Sequence, residues 1–598
     1  MIASRHTEYR HAKTGGFTQD IPDMFNPYLD DPLLERILRR QLPSGEFERV
    51  SKDLTRFGER VITEIEELGR QAEILQPRLE QHDAIGRRTD KLICCYEWTK
   101  LKKIAAEEGL ISIGYDESRD PHVRRLHQIA KLFLFSRSSA ALISCPLAMT
   151  DGGVKTLTAL GLYGTHPLAT EVVDHLKSSD AKKAWTCGQW MTEKKGGSDV
   201  AGGCDTYAIH ETGNTYRLYG YKWFSSAIDA DVALTLARVV DAQGNAREGT
   251  KGVSLFLLKV RKPDGTLNGI QMIKLKDKFG TKQLPTAELL LEGVVAEKIG
   301  EEGRGIAGIS NMLNTTRIYN STGAVTGMRA IISFARAYST KRIVFGQLQS
   351  DWPLHTATIA KMEVDVRGSM HLLFEAARLL GRTEAPNASD RDIQLLRLVT
   401  PVLKLYSGKQ GVPLVSEGLE CFGGLGYLED AGLPRILRDI QVCPIWEGTT
   451  NVLSLDVLRV FYQNRQILEV FGSRVEELLQ KANTADERLK KSKDVVRGAL
   501  QKLQKLSADS LESSLEGESR IDAVARHIAF SIARVYSGAL LIEFATSEVA
   551  NASDAEVAVR WCCEQPMVEF SEEWSGNRRI QADRDLVFDH YPGERSKI

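Results

Sequence analysis

The sequence predicts an α+β protein that is mainly helical, with a helical N-terminal domain, a compact central β domain, a C-terminal helical bundle and an additional helical domain after it. Three observations predict this order. Apolar residues recur every three or four positions both before and after the middle of the chain. The middle consists of short β-type runs broken by Asp, Gly and Asn. With 598 residues, the chain is also too long for one ordinary domain.

The N-terminal part divides into an arm and a helical domain. Residues 1 to about 45 are predicted to form an irregular arm, because "DIPDMFNPYLDDP" is rich in Pro, Asp and Asn. Residues 46–188 are predicted to be helical, since "RVSKDLTRFGERVITEIEELGRQAEIL" repeats apolar residues at helical spacing. The later stretch "RRLHQIAKLFLFSRSSAALISCPLAMTDGGVKTL" is apolar nearly all round, which is typical of a buried helix.

Residues 189–297 are predicted to form a β domain inserted between helical parts. The runs "NTYRLYGYKWFSSA", "DVALTLARVV", "GVSLFLLKV" and "TAELLLEGVV" are short and rich in residues that favour strands. The segment "DAQGNAREGTKG" joins two of these runs and has the composition of a hairpin loop.

Helical periodicity returns after Gly305. Residues 298–466 are predicted to be a helical bundle, because three long amphipathic stretches follow one another. Residues 467–598 are predicted to be a further helical domain, with the charge-rich "VEELLQKANTADERLKKSKDVVRGALQKLQKL" followed by the more apolar "RHIAFSIARVYSGALLIEFATSEVA". We find no internal repeat and no heptad run long enough for a coiled coil.

The composition excludes several classes of function. Lys and Arg number 78 and Asp and Glu number 79, so the formal net charge of −1 gives no general attraction to nucleic acid or acidic membranes. The nine cysteines show neither metal-ligand spacing nor a small disulfide framework, which favours a reducing compartment. No apolar run approaches the ~20 residues of a membrane span, so we expect none.

The two ends of the sequence do not identify a single cellular compartment. The start, "MIASRHTEYRHAKTGG", lacks the apolar core of a secretory signal. The last three residues, Ser-Lys-Ile, resemble the peroxisomal Ser-Lys-Leu address, although a tripeptide of this kind also arises by chance. We expect an intracellular protein, with peroxisomal, mitochondrial and cytoplasmic locations all open.

The stretch "CPIWEGTTNV" contains a candidate catalytic base. Glu447 stands between Trp446 and a Gly-Thr-Thr turn, just before a helical apolar rhythm begins. A carboxylate in an apolar setting acquires a raised pKa and becomes a stronger base. The alternative is a buried structural glutamate whose carboxylate is satisfied by the two threonines after it.

Two motifs near the start of the β domain could bind a planar ligand. In "MTEKKGGSDV", two glycines allow close backbone approach, and Thr192 and Ser198 offer hydroxyl groups. In "KWFSSA", the indole of Trp223 could lie against a flat heteroaromatic ring while the hydroxyl of Ser225 donates to a ring nitrogen. Taken alone, the first motif is better explained as a turn and the second as a strand with ordinary aromatic packing.

Three further Gly-containing segments occur in the second helical region. "GRGIAG" fits G-x-G-x-x-G but lacks the surrounding βαβ unit and the later acidic residue, so we reject it as a dinucleotide motif. In "STKRIVFGQ", Arg342 could pair with a phosphate or could be a solvated cation at a helix end. "ECFGGLGYLED" could bring main-chain N–H groups close to a pyrophosphate or could be a tight corner between helices.

Each motif is weak alone, but their order along the chain is specific. TExxGGSD, KWxSS, RxxFG, a GGxG break and IWEGT follow one another in the order that is typical of the acyl-CoA dehydrogenase family, and the chain resembles that family over residues 50–465. The segments "GQWMTEKKGGSDV", "LKDKFG", "FGGLGYLED" and "PIWEGTTNVLSLDVLRV" are most similar to its AidB-like branch, which carries an extra C-terminal helical domain.

The resemblance implies the family fold, in which FAD lies between a β-barrel-like domain and the C-terminal helices. It also implies a homotetramer, a dimer of dimers, in which a neighbouring subunit holds the ADP half of FAD. Near the flavin ring it places Met191 and Thr192, with Trp223 and Ser225 beside N5. The complete set of FAD contacts that it implies is Met191, Thr192, Trp223, Ser225, Arg342, Phe345, Glu420, Gly423, Gly424, Thr449 and Asn451.

The resemblance also implies the reaction. Glu447 matches the base that removes the α-proton of a medium- or long-chain fatty acyl-CoA, and hydride passes from the β-carbon to the flavin, giving trans-2-enoyl-CoA. The Glu447 backbone N–H and a flavin ribityl hydroxyl would stabilise the enolate oxygen. Ser198, Arg317 and Gly448 match substrate contacts. An electron-transfer flavoprotein would accept the electrons in mitochondria, and oxygen would in a peroxisomal oxidase.

Two other functions remain open. The chain could bind a fatty acyl-CoA with little turnover and so regulate lipid metabolism. It could also associate with nucleic acid, because the AidB-like branch includes a bacterial alkylation-response flavoprotein that binds DNA. The tail does not favour that function: from residue 471 onward, 18 Lys and Arg face 22 Asp and Glu, a net charge of −4.

Overall fold

The computed structural model describes residues 19, 25–137, 143–515, 517 and 520–589, without the side chains of residues 143 and 144. It has the predicted architecture: helices at both ends, a central β domain and extra helices at the C-terminal end. The tripeptide at 596–598 and about half of the predicted arm lie outside the described residues.

The first helix corrects the prediction of an irregular arm to residue 45. Helix α1 (Pro32–Gln41) lies within that range, and α2 (Ser44–Arg60) begins at its end. Pro32 occupies the first turn, where a missing N–H costs nothing, and the Asp31 carboxylate accepts hydrogen bonds from the N–H groups of Leu33 and Leu34. The Asp-Pro pair that indicated a loop therefore starts a helix.

A hairpin corrects the prediction that residues 46–188 are helical throughout. After the π-helical turn Val61–Ile65 and helix α3 (Glu66–Ile74), strands β1 (Arg78–His82) and β2 (Arg88–Ile93) pair antiparallel. Both strands are polar and mostly exposed, so they lack the apolar alternation that indicates a strand. Among the described residues of this domain, four further α-helices follow: α4 (Tyr96–Glu107), α5 (Pro121–Phe135), α6 (Ala148–Ala159) and α7 (Pro167–Leu176). Helix α5 is buried along most of its length, as its composition predicts.

The β domain contains seven strands within the described residues. In chain order they are β3 (Cys187–Trp190), β4 (Tyr207–Thr212), β5 (Thr215–Ser226), β6 (Val232–Val239), β7 (Val253–Lys259), β8 (Ile270–Leu275) and β9 (Thr286–Ile299). Pairing runs β6-β4-β5-β9-β7 and returns to β6, with β3 on β6 and β8 on β9, so the sheet closes on itself. The β6–β7 pair is the predicted hairpin.

The second helical region is built from long helices. Helix α8 (Gly305–Ser339) is largely buried. It packs against α6 and against the later helix that spans Asp390–Glu420. The short hairpin of β10 (Ile343–Val344) and β11 (Gln347–Leu348) follows it. The remaining helices are α9 (Pro353–Thr383), α10 (Asp390–Glu420), α11 (Pro434–Ile440) and α12 (Thr450–Gln463).

The additional domain comprises five helices in the described residues. They are α13 (Ile467–Lys481), α14 (Glu487–Leu515), α15 (Ala525–Ala545), α16 (Ala552–Cys563) and α17 (Asn577–Phe588). Helix α15 packs on α9 and α12, and its Tyr536 hydroxyl donates to the Glu375 carboxylate of α9 at 2.5 Å. Burial opposes ionisation of Glu375, but Arg378, Arg474 and Tyr536 together lower its pKa to about 2.

One described segment bears on the expectation that no run spans a membrane. Residues 521–545 are long and apolar enough by length and composition. However, 83% of the apolar window is buried inside the protein, as in the core helix of a globular domain. Packing of α15 against α9, α12 and α14 accounts for its composition.

Candidate active site

Glu447 lies in the turn between α11 and α12, with an unusual backbone conformation. Its φ is 58° and that of the next residue, Gly448, is 101°. A positive φ is accessible to glycine but strains a residue with a β-carbon, and such strain persists only where surrounding contacts maintain it. The turn at Glu447 is therefore held in place by its neighbours.

The Glu447 carboxyl group faces α8. The Thr316 hydroxyl donates a hydrogen bond to Glu447 Oε2 at 2.6 Å. Burial raises the pKa of Glu447 above its usual value, while this hydrogen bond and the charges of Lys404 and Arg317 act in the opposite direction. A carboxylate of this kind is a stronger base than a solvated one and still has groups that stabilise its ionised form.

The indole next to Glu447 is fixed from the same helix. Trp446 Nε1 donates to Asn320 Oδ1 at 2.5 Å, and Asn320 is fully buried. Because Asn320 lies one helical turn after Thr316, α8 positions both the carboxyl group and the ring that precedes it.

Arg317 follows Thr316 and is half-buried. Its Nη1 donates to Asp456 Oδ2 at 2.8 Å, and Arg397 binds the other oxygen of Asp456 at 2.7 Å. Burial lowers the pKa of Arg317, with Asp456 and Glu447 acting in the opposite direction. The Nε of Arg317 is buried and has no hydrogen-bond partner among the described residues, so it remains available to a ligand.

Lys404 is a site residue that the sequence reasoning missed. It comes from α10, is fully buried, and its Nζ donates to the Gly448 carbonyl at 2.5 Å. Burial lowers its pKa to about 8. The signal in the sequence is one lysine inside the apolar run "PVLKLY", and Thr316 was visible only as the residue before Arg317.

A second group of predicted residues meets at the edge of the β domain. The Trp223 N–H donates to the Thr192 carbonyl at 2.8 Å, and Met191 is buried beside β3. The Ser225 hydroxyl is fully buried and has no hydrogen-bond partner among the described residues. A buried hydroxyl without a partner is costly, so this position suits a bound polar group such as a flavin ring edge.

Two lysines contact the indole of Trp223. Lys276 Nζ lies 3.2 Å from the ring centre and Lys194 Nζ lies 5.2 Å from it. Lys276 also forms an ion pair with Glu288 at 2.9 Å. The TEKKGG turn and the residue that follows β8 therefore place positive charge beside the ring that the resemblance assigns to the flavin.

A third group lies at the end of α8 and at the Gly-rich corner after α10. Gln349 Nε2 donates to the Cys421 carbonyl at 2.8 Å, which joins the β10–β11 hairpin to that corner. Phe345 is 94% exposed at the tip of the hairpin, and Arg342 at its base contacts Gln19 at 3.3 Å. In the corner, Gly423 has a φ of 58°, and a β-carbon on Gly423 or Gly424 would meet open space.

The remaining predicted residues lie at the surface or cap a helix. Ser198 is exposed in the loop after β3, and Glu420 is exposed at the last position of α10. The Thr449 hydroxyl accepts from the Val452 N–H and so caps α12. Asn451 contacts Arg526 of the additional domain at 3.4 Å.

Family comparisons agree with this arrangement over most of residues 20–588. Four domain families match successive parts: the AidB N-terminal domain over residues 20–180, the acyl-CoA dehydrogenase middle domain over 188–294, its C-terminal domain over 303–461, and the acyl-CoA dehydrogenase 11 C-terminal domain-like family over 466–588. The chain belongs to the acyl-CoA dehydrogenase family, a family of oxidoreductases that use FAD.

Within this family, the chain is similar to acyl-CoA dehydrogenase family member 11 of Caenorhabditis elegans. The two are 67% identical over 599 residues, which covers 100% of this chain and 97% of that protein. The crystal structure of C. elegans ACDH-11 in complex with C11-CoA superimposes with a TM-score of 0.96 at 66% identity, covering 99% and 100% of the two chains.

Two more distant relatives also match the chain. The putative acyl-CoA dehydrogenase AidB of Escherichia coli K12 is 32% identical over 469 residues, which covers 77% of this chain and 83% of that protein. A solved acyl-CoA dehydrogenase complexed with FAD from Bacillus anthracis shares the fold, with a TM-score of 0.68 at 18% identity over 96% and 97% of the chains.

Proposed function

We propose that this chain catalyses the α,β-dehydrogenation of a medium- or long-chain fatty acyl-CoA to trans-2-enoyl-CoA. The observation that carries the proposal is the half-buried Glu447, whose carboxyl group has a raised pKa and accepts a hydrogen bond from Thr316. The complex of the C. elegans relative with C11-CoA supports an acyl-CoA as the ligand.

In this proposal Glu447 is the base. The α-hydrogen of an acyl thioester is a weak acid, so its removal needs a base that is stronger than a solvated carboxylate. Burial supplies that basicity, and Thr316, Lys404 and Arg317 keep enough of the ionised form present. The α-proton passes to a Glu447 oxygen, and its electron pair forms the new double bond. FAD, when bound, supplies the acceptor for the hydride that leaves the β-carbon.

The backbone N–H of Glu447 has a separate role in the proposed reaction. Its N–H makes no hydrogen bond within the part of the chain that the structure describes. We assign it to the thioester oxygen, where a fixed donor stabilises the charge that develops when the α-proton leaves. Trp446, held by Asn320, limits access of water to the carboxyl group.

Two groups of residues in this chain are suited to bind FAD, one at the flavin ring and one at the ADP half. The unpartnered Ser225 hydroxyl, with Met191, Thr192 and Trp223, suits the flavin ring. We propose that Arg342, Phe345 and the Gly423–Gly424 corner hold the ADP half of FAD in a neighbouring subunit of a homotetramer. Support comes from the exposed phenyl ring of Phe345 and from the open approach to Gly423 and Gly424.

A second candidate function is acyl-CoA sequestration with little turnover. The specific observation in its favour is that the crystal structure of the C. elegans relative is described as a complex with C11-CoA. In the dehydrogenase proposal, an electron-transfer flavoprotein or oxygen reoxidises the flavin. Steady-state reduction of an artificial electron acceptor separates the two functions, because a sequestering protein would bind the acyl-CoA tightly and turn over negligibly.

The central experiment replaces the base. Glu447→Gln keeps the shape of the side chain but cannot accept the α-proton. We expect this variant to retain FAD absorbance and acyl-CoA binding and to lose at least ~100-fold in acceptor reduction, as is typical for loss of a general base. Glu417→Gln, an exposed carboxylate on α10, is the matched control and should retain full activity. Full activity in Glu447→Gln would reject the proposal.

A further inference from the structure

The strained turn at Glu447 accepts a side-chain hydrogen bond at the carbonyl of Gly448. Glu447 and Gly448 both have positive φ, and the carbonyl of Gly448 accepts a hydrogen bond from Lys404 Nζ at 2.5 Å. Lys404 belongs to α10, so this contact ties the turn to a helix that packs against α12. No other described side chain donates to that carbonyl.

Lys404 is in an unusual place for a lysine. It is fully buried, and its neighbours along the helix, Leu403 and Leu405, are also fully buried. A buried ammonium group is costly unless it has partners. Within the described residues no carboxylate lies within ion-pair distance of Lys404, so the Gly448 carbonyl is its one direct acceptor there.

The charged and titratable groups that face Lys404 come from two other elements. Glu447 and Cys443 lie in the segment between α11 and α12, and Arg317 comes from α8. The Cys443 thiol is neutral, because burial raises its pKa to about 12. Arg317 is positive but is already paired with Asp456. Glu447 is therefore the negative charge that Lys404 acts on.

We infer that Lys404 is a positioning residue for the base, which holds the left-handed turn through the Gly448 carbonyl and keeps the Glu447 carboxyl group ionised. The inference rests on the proposed function for its catalytic meaning. Its structural content, a coupling between Lys404 and the protonation of Glu447, can be measured without turnover.

Two substitutions test the charge of Lys404, one without and one with a hydrogen-bond donor at this position. Lys404→Met removes both the charge and the hydrogen-bond donor, whereas Lys404→Gln removes the charge and keeps a donor for the Gly448 carbonyl. Lys404→Arg keeps both and serves as the rescue variant. A lysine charge beside a carboxyl group lowers the pKa of that group, so we expect both neutral variants to raise the pKa of Glu447 by about one unit. Lys404→Arg should restore it.

The measurement is a pH titration of the Glu447 carboxyl band by infrared difference spectroscopy on the full-length holoprotein. Subtracting the Glu447→Gln spectrum isolates that band in each background. Thermal unfolding and flavin absorbance identify a variant that fails to fold, and Lys404→Gln, which keeps the donor, is the backup for Lys404→Met. Lys131→Met is the structural control: Lys131 is buried against Asp53 and Glu108 in the N-terminal domain, so this variant should lose stability without shifting the band.

An unchanged titration midpoint of the Glu447 carboxyl band in both neutral Lys404 variants would overturn the inference.

A separate experiment tests the proposed function. It measures exchange of the α-hydrogens of a 3-thiaacyl-CoA for deuterium in D2O by mass spectrometry. Sulfur replaces the β-carbon of this ligand, so proton removal can be observed without hydride transfer. If the carboxyl band shifts as expected but the wild-type protein exchanges no faster than Glu447→Gln, the coupling stands and the catalytic role of Glu447 falls. If exchange depends on Glu447 but the band does not move in the Lys404 variants, the catalytic role stands and the coupling falls.

Discussion

The Thr316 hydroxyl lies 2.6 Å from Oε2 of Glu447, although the two residues are 131 positions apart in the chain. Thr316 is part of the long helix α8, and Glu447 is in a strained turn before α12. This hydrogen bond stabilises the ionised carboxylate and orients it. It therefore opposes the rise in pKa that burial causes, and the basicity of Glu447 depends on the balance between the two effects.

We predict that Thr316→Val raises the pKa of Glu447. Valine has nearly the same shape as threonine but cannot donate the hydrogen bond. A hydrogen bond to a charged group contributes roughly 1.5–3 kcal/mol, and one pKa unit corresponds to about 1.4 kcal/mol. The acid limb of the pH dependence of kcat/KM should therefore move upward by about one to two pH units. Thr316→Ser keeps the hydroxyl and should retain the wild-type profile. The same shift in the serine variant would show that packing, and not the hydrogen bond, is responsible.

We also predict that Glu447→Gln stabilises the protein at neutral pH and not in acid. The folded-state pKa of Glu447 is raised above the unfolded value, so its contribution to stability is present below the unfolded pKa and is lost as pH rises through the folded pKa. At pH 7 the native protein must bury a carboxylate that glutamine replaces with a neutral group. The expected gain in the free energy of unfolding is on the order of 1 kcal/mol. It should disappear below about pH 4.5, the usual pKa of glutamate.

Urea unfolding of the wild-type and variant proteins at several pH values measures this difference directly. Glu417→Gln again provides a solvent-exposed comparison, for which we expect little change at any pH. A Glu447→Gln variant that is less stable than wild type at pH 7 would mean that the carboxylate contributes favourable contacts that outweigh its burial.

The order of domains and the position of Glu447 could be predicted from the sequence, because both depend on local patterns. Helical spacing, strand-type runs and the Trp-Glu-Gly-Thr-Thr order each occupy a short stretch of chain. The partners of Glu447 could not be predicted in this way. Lys404 and Thr316 come from helices that precede Glu447 by 43 and 131 positions, and only the packing of α8 and α10 brings them to it.

Two local errors have the same kind of physical cause. The hairpin of β1 and β2 is mostly polar, apart from Leu79 and Leu92, which pack against the core of the β domain. It is also held by contacts with β8 such as the 3.0 Å hydrogen bond from Gln81 to the Met272 carbonyl. Helix α1 begins at Asp31-Pro32, a pair that either starts a helix or interrupts regular structure. In both cases tertiary packing decides between structures that local composition leaves open.

We predict that Ser225→Ala weakens FAD binding without destabilising the protein that lacks FAD. The Ser225 hydroxyl is buried and has no partner among the described residues, so its removal deprives the folded chain alone of no hydrogen bond. If the hydroxyl bonds to the flavin, its loss should weaken FAD affinity by about tenfold. The measurement is equilibrium dialysis of the apoprotein with FAD, together with thermal unfolding of the apoprotein.

Ser226→Ala is the neighbouring control for this experiment. The Ser226 hydroxyl lies 3.0 Å from the Thr286 hydroxyl, so this variant should lose stability while FAD affinity stays close to wild type. Equal FAD affinities for Ser225→Ala and wild type would remove Ser225 from the flavin site.

The additional domain approaches the bundle closely at a glycine of α9. A β-carbon at Gly368 would come within 2.3 Å of the Trp561 ring of α16. That ring cannot move easily, because its Nε1 donates to the Arg534 carbonyl at 3.0 Å. We therefore predict that Gly368→Ala forces the two helices apart and lowers the free energy of unfolding by about 1–3 kcal/mol. Gly498→Ala in α14 is the matched control, since a β-carbon there meets open space and the residue is exposed. That substitution should stabilise the helix by about 0.5–1 kcal/mol. If urea unfolding shows that both variants change stability in the same direction, the close approach of α9 and α16 does not hold the additional domain in place.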